Sequence, residues 1–500
     1  MSPLDDVASA RQRRDSAALP PPSPRPSRSD ALSAAWREYF ALAATSDPAW
    51  SGARDFMAED LRRAMRRLIP EDASVLEAGC GTGDLLAALP NAVRDGIDFL
   101  PEVLAQARAR HPGLRVQIGD ATALTGPARY DAVICDRLCH SVLDVQALLN
   151  SLRDRLTEGG RIYLTCFSYL WEVPVRMAEL AGLKIPAPTS NWLTDADLKS
   201  LFDIAGLETV RYEDRLLLPL PLGGLSSLVN RYAGKLPGMH HASLYRVYVL
   251  RRRQAALAPG PVTVSVVVPA RNEAGNVAAA VARTPVMGAG TELIFVEGGS
   301  TDGTWACIED AVRAYRGPLA LRAFQQDGRG KGDAVRLGFS RATGDLLMIL
   351  DADLTVPPED LPKFYAAALG GRADYVQGTR LVYPMEEGAM RFLNKVGNVA
   401  FSQLFTYLLQ QPIKDTLCGT KVLWRADYER IAAARGYFGD FDPFGDFDLI
   451  FGAARLHLKI AEIPVRYRDR TYGATNIARF KHGWLLLRMS AVAARKLKFV

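Results

Sequence analysis

Hydrophobic positions fall into two series of short, unbroken apolar runs, and most runs lead directly into glycines or a carboxylate. The first series comprises the runs around Val75, Ile97, Val116–Ile118, Ala132–Cys135, Arg161–Cys166 and Tyr245–Leu250; the second comprises Val262–Val268, Leu293–Val296 and Leu346–Leu350. Runs without polar alternation fit parallel strands covered on both faces. Alternating with helical segments, they predict an α/β chain of two doubly wound domains. Between Ala31 and Ile69, Trp36, Tyr39, Phe40, Phe56, Leu61, Met65 and Leu68 recur at roughly helical spacing and predict helices covering the first sheet.

Composition sets the boundaries. Residues 1–30, with Leu19–Arg28 rich in Pro, Ser and Arg, hold too little apolar surface to offset ordering entropy and read as a disordered head. The first domain is assigned 31–253, a charged then Ala/Pro/Gly-rich linker 254–261, and the second domain 262–500. With 500 residues at 48% hydrophobic, two ordinary cores are within reach. A net charge of +6 is small for this length and implies no nucleic-acid partner. The six cysteines are scattered, without Cys-x-x-Cys pairs, which points to a reducing cytoplasm. The N-terminus carries no apolar signal region, and the longest uncharged stretches, Leu216–Asn230 and Val396–Ile413, are too interrupted to read as a transmembrane span.

Chemistry concentrates where runs end. Leu346–Leu350 stops at Asp351-Ala352-Asp353, beyond the carboxyl end of a buried strand, where open α/β sheets bind ligands. Two carboxylates one residue apart can face one hard cation, Mg²⁺ or Mn²⁺, with a substrate diphosphate completing its shell. The loop Gly328-Arg329-Gly330-Lys331-Gly332-Asp333 precedes a helix, where amides and Lys331 can face phosphate. In the first half, Glu77-Ala78-Gly79-Cys80-Gly81-Thr82-Gly83 lies between strand and helix, and Asp98 ends the next strand about twenty residues on, as a ribose-binding carboxylate requires.

That region, about residues 45–253, resembles a class I S-adenosylmethionine-dependent methyltransferase. The resemblance implies a Rossmann-like fold in which Glu77, Gly79 and Gly81 border the methionine part of S-adenosyl-L-methionine, Asp98 its ribose and Asp120 its adenine amine. An NAD-type domain is the runner-up, but its third glycine falls one place later. The methyl acceptor is not legible: Asp136 and His140 follow the fourth strand, where His140 serves either chemistry or structure. A non-catalytic, scaffolding domain is the second reading.

Residues 262–480 resemble a family 2 glycosyltransferase of the GT-A fold, within it the dolichol-phosphate mannose synthase group. The motifs are Pro269-Ala270-Arg271-Asn272-Glu273, Gly330-Lys331-Gly332, Asp351-Ala352-Asp353, Gly378-Thr379-Arg380 and Asp469–Asn476. The resemblance implies that Pro269, Arg271, Glu273, Glu297, Lys331 and Asp351 bind a nucleotide-diphospho-sugar, that Asp351 and Asp353 hold the metal, and that Asp353, Arg380 and Arg470 serve catalysis. Three departures stand out: Glu297-Gly298-Gly299-Ser300 replaces Asp-Asp-Gly-Ser, Thr355 stands in place of Gln, and Asn476 in place of Lys.

The acceptor reading is a polyprenyl phosphate, whose ionised oxygen needs Arg positioning rather than a base. Arg380, Arg391 and Arg470 are the candidates, Arg391 with the least motif support. The alternative is a sugar hydroxyl, with Asp446 or Asp448 as base. Two stretches bear on lipid contact. Val399–Leu408 is aromatic and apolar, suited to an interface or to a core. In the C-terminal helix, Lys481, Arg488 and Arg495 recur beside Lys496 and Lys498, with Trp484, Leu485, Met489, Val492 and Leu497 as the apolar side. That predicts either peripheral contact with the inner membrane face or a docking helix.

Overall fold

The computed structural model describes residues 28–45, 51–182, 184–382, 392–437, 445–468, 470, 472 and 487–499. The head through residue 27, Arg391, Lys481, Trp484, Leu485 and most of the 469–476 motif lie outside the described residues.

Among the described residues, two seven-stranded sheets form. The first has the order β3-β2-β1-β4-β5-β7-β6, with β1 Val75–Ala78, β2 Arg94–Asp98, β3 Arg115–Ile118, β4 Tyr130–Asp136, β5 Leu156–Phe167, β6 Leu207–Arg215 and β7 Tyr245–Arg252. Strands β1 to β5 are parallel, and β7 runs antiparallel between β5 and β6. The second has the order β10-β9-β8-β11-β13-β12-β14, with β8 Thr263–Ala270, β9 Gly290–Glu297, β10 Ala320–Gln325, β11 Leu346–Ile349, β12 Tyr375–Thr379, β13 Lys421–Trp424 and β14 Ile460–Pro464. Here β8 to β11 are parallel and β13 is antiparallel to both neighbours. Both sheets are doubly wound, as the apolar runs predict. Strand β1 and strand β11 are buried along their whole length, which is why each reads as an unbroken apolar run.

In each sheet the order reverses beside the first strand, between β1 and β4 and between β8 and β11. Crevices open outside the carboxyl ends at such points, and the two Gly/Asp clusters fall there. Covering helices come from the predicted amphipathic segments. Arg28–Thr45 and Ser51–Leu68 precede β1, and the latter buries Leu61, Met65 and Leu68.

The domains meet through a buried polar knot. Asp374, 6% exposed, accepts from Arg251 Nη1 at 2.5 Å, Arg161 Nη2 at 3.3 Å and the Lys459 amide at 2.8 Å. The same Arg161 donates twice to the His457 carbonyl, at 3.0 and 2.9 Å, and Lys459 Nζ donates to the Thr209 carbonyl at 2.6 Å. The stretch assigned as linker is itself docked: the Leu257 amide donates to the Leu369 carbonyl at 2.7 Å, and Tyr365 Oη to the Pro259 carbonyl at 2.5 Å.

The helix Phe392–Leu409 buries Phe405, Leu408 and Leu409 in the second core, so core packing accounts for its apolar side, with Val399 left exposed. The C-terminal segment likewise buries Met489, Ala493 and Leu497 against that core and turns Arg488 and Arg495 outward. Of the two sequence readings, its apolar side is that of a docking helix.

Candidate functional site

In the second domain, Asp351 and Asp353 follow β11, and each meets a cation. Lys331, on the first turn of the helix Gly330–Arg341, places Nζ 2.6 Å from Asp351 Oδ1. Arg470 places Nη2 2.6 Å from Asp353 Oδ2 and Nη1 4.0 Å from Glu273 Oε1. Asp353 Oδ1 also accepts from the Thr355 amide at 3.1 Å and Thr355 Oγ1 at 2.8 Å. Burial is the largest influence on Asp351 and would raise it, but the charge and hydrogen bond of Lys331, with the charges of Lys421 and Arg380, together hold the carboxyl below its usual range. For Asp353 burial wins, joined by repulsion from Asp351 and opposed by Arg470, and the pKa rises. A Cβ on Gly419 would lie 1.9 Å from Asp351 Oδ2 and 2.5 Å from Lys331 Nζ, so only glycine lets the chain pass beneath this pair.

The nucleotide loops pack against one another. Asn272, at φ 57°, accepts from the Thr301 amide at 2.8 Å, and its own amide donates to Ser300 Oγ at 3.0 Å. Glu297 is buried and its carboxylate accepts from the Ser300 amide and, at 3.3 Å, from Gln325 Nε2, so the replaced acid braces its own loop. Pro269 closes β8, Arg271 is exposed beside it, and Glu273 is buried, its carboxyl raised by burial. Tyr472 Oη donates to Asp302 at 3.4 Å, and a Cβ on Gly275 would meet the Tyr472 ring at 2.6 Å. Residues 470 and 472 therefore reach back over the crevice.

Arg380 is otherwise engaged. Its Nε and Nη2 grip Asp415 at 2.7 and 2.8 Å, its amide donates to the same carboxylate at 3.0 Å, and its guanidinium lies 5.1 Å over the Tyr467 ring. Burial would raise Asp415, but Arg380 holds it at about 2. Arg380 thus shapes the wall, and Arg470 reaches the carboxylate pair. Asp446 and Asp448, the candidate bases, are also ion-paired: Lys421 Nζ, fully buried, is 2.8 Å from Asp446, and Arg435 Nε is 2.6 Å from Asp448. Asp415, Gly419 and Lys421 escape a sequence reading, although Asp415-Thr416-Leu417-Cys418-Gly419-Thr420-Lys421 supplies a signal: charge and glycine leading straight into a strand.

In the first domain Gly79, Gly81 and Gly83 all take left-handed φ (74°, 53° and 77°), which favours glycine at each. A side chain on Gly79 would strike Leu138 at 2.7 Å, whereas space above Gly81 is open. Asp98 Oδ2 accepts from the Gly81 amide and Oδ1 from the Leu100 amide, both at 3.0 Å, so the carboxylate ties the turn to the end of β2. Glu77 is 3% exposed and its Oε2 meets no hydrogen-bond partner among the described residues. Burial, then Asp136 and Asp98, push its carboxyl well above the usual range. Asp120 is exposed and caps the following turn through Thr122. His140 is structural: Nδ1 donates to the Asn191 carbonyl at 2.7 Å and Nε2 accepts from the Phe167 amide at 2.9 Å, which occupies both nitrogens. Asp136 is held by Arg137 at 2.9 Å and by Thr165 Oγ1 at 2.5 Å.

Two doubly wound α/β domains, each with its Gly/Asp cluster at the switch point of the sheet, define the class. Residues 50–212 match the model of a methyltransferase domain and residues 265–431 that of glycosyl transferase family 2. The chain joins a methyltransferase domain to a family 2 glycosyltransferase domain. It is similar to the low-salt glycan biosynthesis hexosyltransferase Agl6 of Haloferax volcanii, 28% identical over 46% of this chain and 54% of that protein, so it spans about half of that relative. It is also similar to the undecaprenyl-phosphate 4-deoxy-4-formamido-L-arabinose transferase of Aeromonas hydrophila, 36% identical over 22% of this chain and 34% of that protein. A solved S-adenosylmethionine-dependent methyltransferase from Thermotoga maritima aligns over 45% of this chain and all of its own at 17% identity, with a TM-score of 0.34. Among the described residues no helix is long and apolar enough to cross a membrane.

Proposed function

We propose that the second domain is an inverting glycosyltransferase that moves a sugar from a nucleotide-diphospho-sugar to a polyprenyl phosphate, and that the first is an S-adenosylmethionine-dependent methyltransferase. The observation that carries the acceptor is the pairing of charges. Arg470 lies beside the carboxylate pair, while Asp446 and Asp448, where a hydroxyl acceptor would find its base, are each held by a cation. A phosphate oxygen is already ionised at neutral pH and attacks without a base. The relative named for undecaprenyl phosphate supports the same acceptor class.

Asp351 and Asp353 fit a divalent cation as two hard oxygen donors, and substrate phosphates would complete its shell. Bound there, the ion would offset the charge of the departing diphosphate. Lys331, at its helix N-terminus, steadies Asp351 and would also meet the donor phosphates, and Arg470, beside Asp353, would meet the acceptor phosphate as a planar two-donor fork. The acceptor oxygen forms a bond to the anomeric carbon as the bond to diphosphate breaks on the opposite side, so configuration inverts.

For the methyl donor, buried Glu77, whose Oε2 meets no hydrogen-bond partner among the described residues, and the open space over Gly81 fit a cationic amino-acid group lying on the loop, with Asp98 toward the ribose and Asp120 toward the adenine. Bound S-adenosylmethionine would supply an electrophilic methyl group; Glu77, Asp98 and the glycine turn bind and orient it. The buried Arg161–Asp374–Arg251 knot favours a second role, in which the first domain also places the transferase. Calorimetric titration with S-adenosylmethionine and S-adenosylhomocysteine tests the donor: no binding by either leaves only the placing role. We place the protein in the cytoplasm, peripheral on the inner membrane face.

A further inference from the structure

The tail's apolar side is spent on the second core, yet a large apolar surface lies open on the first domain. Between β6 and β7 the chain makes an excursion, residues 216–244, that contains no Asp or Glu and nine Leu. Seven large apolar side chains from Leu220 to Met239 are exposed there, Leu225 by 55%, Leu228 by 59% and Tyr232 by 50%. The helix Glu172–Leu180, which leaves the neighbouring carboxyl end of β5, exposes Val173 by 65%, Met177 by 64% and Leu180 by 89%, one face at helical spacing. Trp171 Nε1 donates to the Ala242 carbonyl at 2.9 Å and joins this helix to the end of the excursion. Monomeric proteins rarely leave contiguous apolar surface of this extent without a partner.

We propose that residues 216–244, with the helix Glu172–Leu180, form the face by which this protein rests on an anionic lipid bilayer. Charge selects the occupant. The excursion lacks acids, its exposed helix Gly224–Arg231 ends in Arg231, and Arg231 Nε donates to the Phe499 carbonyl at 3.1 Å while Phe499 stacks on Tyr232 at 6.0 Å. The C-terminal segment, with Arg495 exposed, thereby borders the apolar face. A leaflet of apolar chains beneath anionic headgroups complements such a surface. A second copy does not, because a twofold contact would set Arg231 and Arg495 against an acid-free excursion, and the two acids of the neighbouring helix, Glu172 and Glu179, are already paired with Arg176 and Lys184.

The face is tied to the sugar-transfer site by one helix. In Phe392–Leu409, Asn398 Nδ2 donates to Asp415 at 2.9 Å beside Arg380, and Tyr407 Oη, about 14 Å further along the axis, donates to the Lys235 carbonyl within the excursion. The inference rests on the polyprenyl-phosphate reading only in that such an acceptor is presented at a bilayer surface.

The test is co-sedimentation of the full chain with vesicles of phosphatidylcholine alone or mixed with phosphatidylglycerol. Wild type is expected to sediment with the mixed vesicles, less so with phosphatidylcholine alone or at high salt. The double variants Leu225→Glu/Leu228→Glu and Met177→Glu/Leu180→Glu change exposed positions and are expected to keep the wild-type circular dichroism while losing about tenfold in vesicle affinity. Wild-type protein that stays in the supernatant, or well-folded variants that bind as wild type does, overturns the proposal. So does light scattering that finds a dimer which Leu225→Glu/Leu228→Glu dissociates. Transfer to a short, water-soluble polyprenyl phosphate separates the two readings: the variants should retain it, and its absence in wild type with vesicle binding intact overturns the acceptor assignment and leaves this face standing.

Discussion

Arg470 Nη2 sits 2.6 Å from Asp353 Oδ2, bringing a guanidinium from the end of the second domain's chain onto the carboxylate pair at the end of β11. On the proposed reading donor and acceptor are both anionic, and each would meet a positive partner here: the diphosphate a cation held by the carboxylates, the acceptor phosphate the guanidinium.

Arg470→Ala should lose about 2 kcal/mol or more in kcat/KM for the lipid phosphate, roughly thirtyfold, as expected when a charged hydrogen bond to a desolvated anion is removed. Arg470→Lys should recover only part of this, because an ammonium lacks the two-donor fork. Initial rates at varied acceptor concentration check it; an unchanged kcat/KM contradicts the role.

Asp446→Asn should act on stability rather than on chemistry. It strips the counter-charge from the fully buried Lys421 and should cost roughly 3 kcal/mol in denaturant unfolding. The transfer rate per folded molecule should change little. A fully folded but inactive Asp446→Asn protein would instead mark that carboxylate as the base for a hydroxyl acceptor.

Asp374→Ala leaves Arg161 and Arg251 buried without their shared partner, so the domains should lose their common cooperative unit. The expected outcome is destabilisation of about 3 kcal/mol or more and two resolved unfolding transitions. A single transition at the wild-type midpoint would contradict the knot's importance.

Glu77 gives a pH signature. Burial, with Asp136 and Asp98 nearby, raises its carboxyl well above the usual range, so below that raised pKa it carries a proton in the free protein. A cationic ligand favours the carboxylate, so binding of S-adenosylmethionine should release a proton and strengthen as pH climbs through the Glu77 pKa, levelling off above it. At fixed pH the binding heat should vary with the ionisation heat of the buffer; a buffer-independent heat contradicts this. Asp98→Ala, which frees the Gly81 and Leu100 amides, should weaken binding by roughly tenfold.

Much of this was legible in the residues, for physical reasons. Strands such as β8 and β11 are buried on both faces, so hydrophobicity alone reveals them, and the Gly and Asp residues at their ends fall at the switch points because turn geometry and ligand approach demand those types. What stayed hidden depends on contacts distant in sequence. Nothing local tells that Lys421 answers Asp446, that Arg380 is spent on Asp415, or that Asp374 belongs to both domains. The C-terminal helix shows the same gap: its apolar and basic faces are plain in the sequence, but only the fold tells that the second core takes the apolar one.

For the carboxylate pair, Asp353→Asn should fold normally and lose at least about a hundredfold in transfer, since a neutral amide is a poor donor to a hard cation and one preorganised charge is gone. The most direct measurement follows label from a panel of UDP- and GDP-sugars, with undecaprenyl phosphate and Mn²⁺, into an organic extract. The account predicts label in the lipid phase from at least one donor, abolished by EDTA and by Asp353→Asn. Label that stays in the aqueous phase as a soluble glycoside, or transfer that survives both treatments, would contradict it.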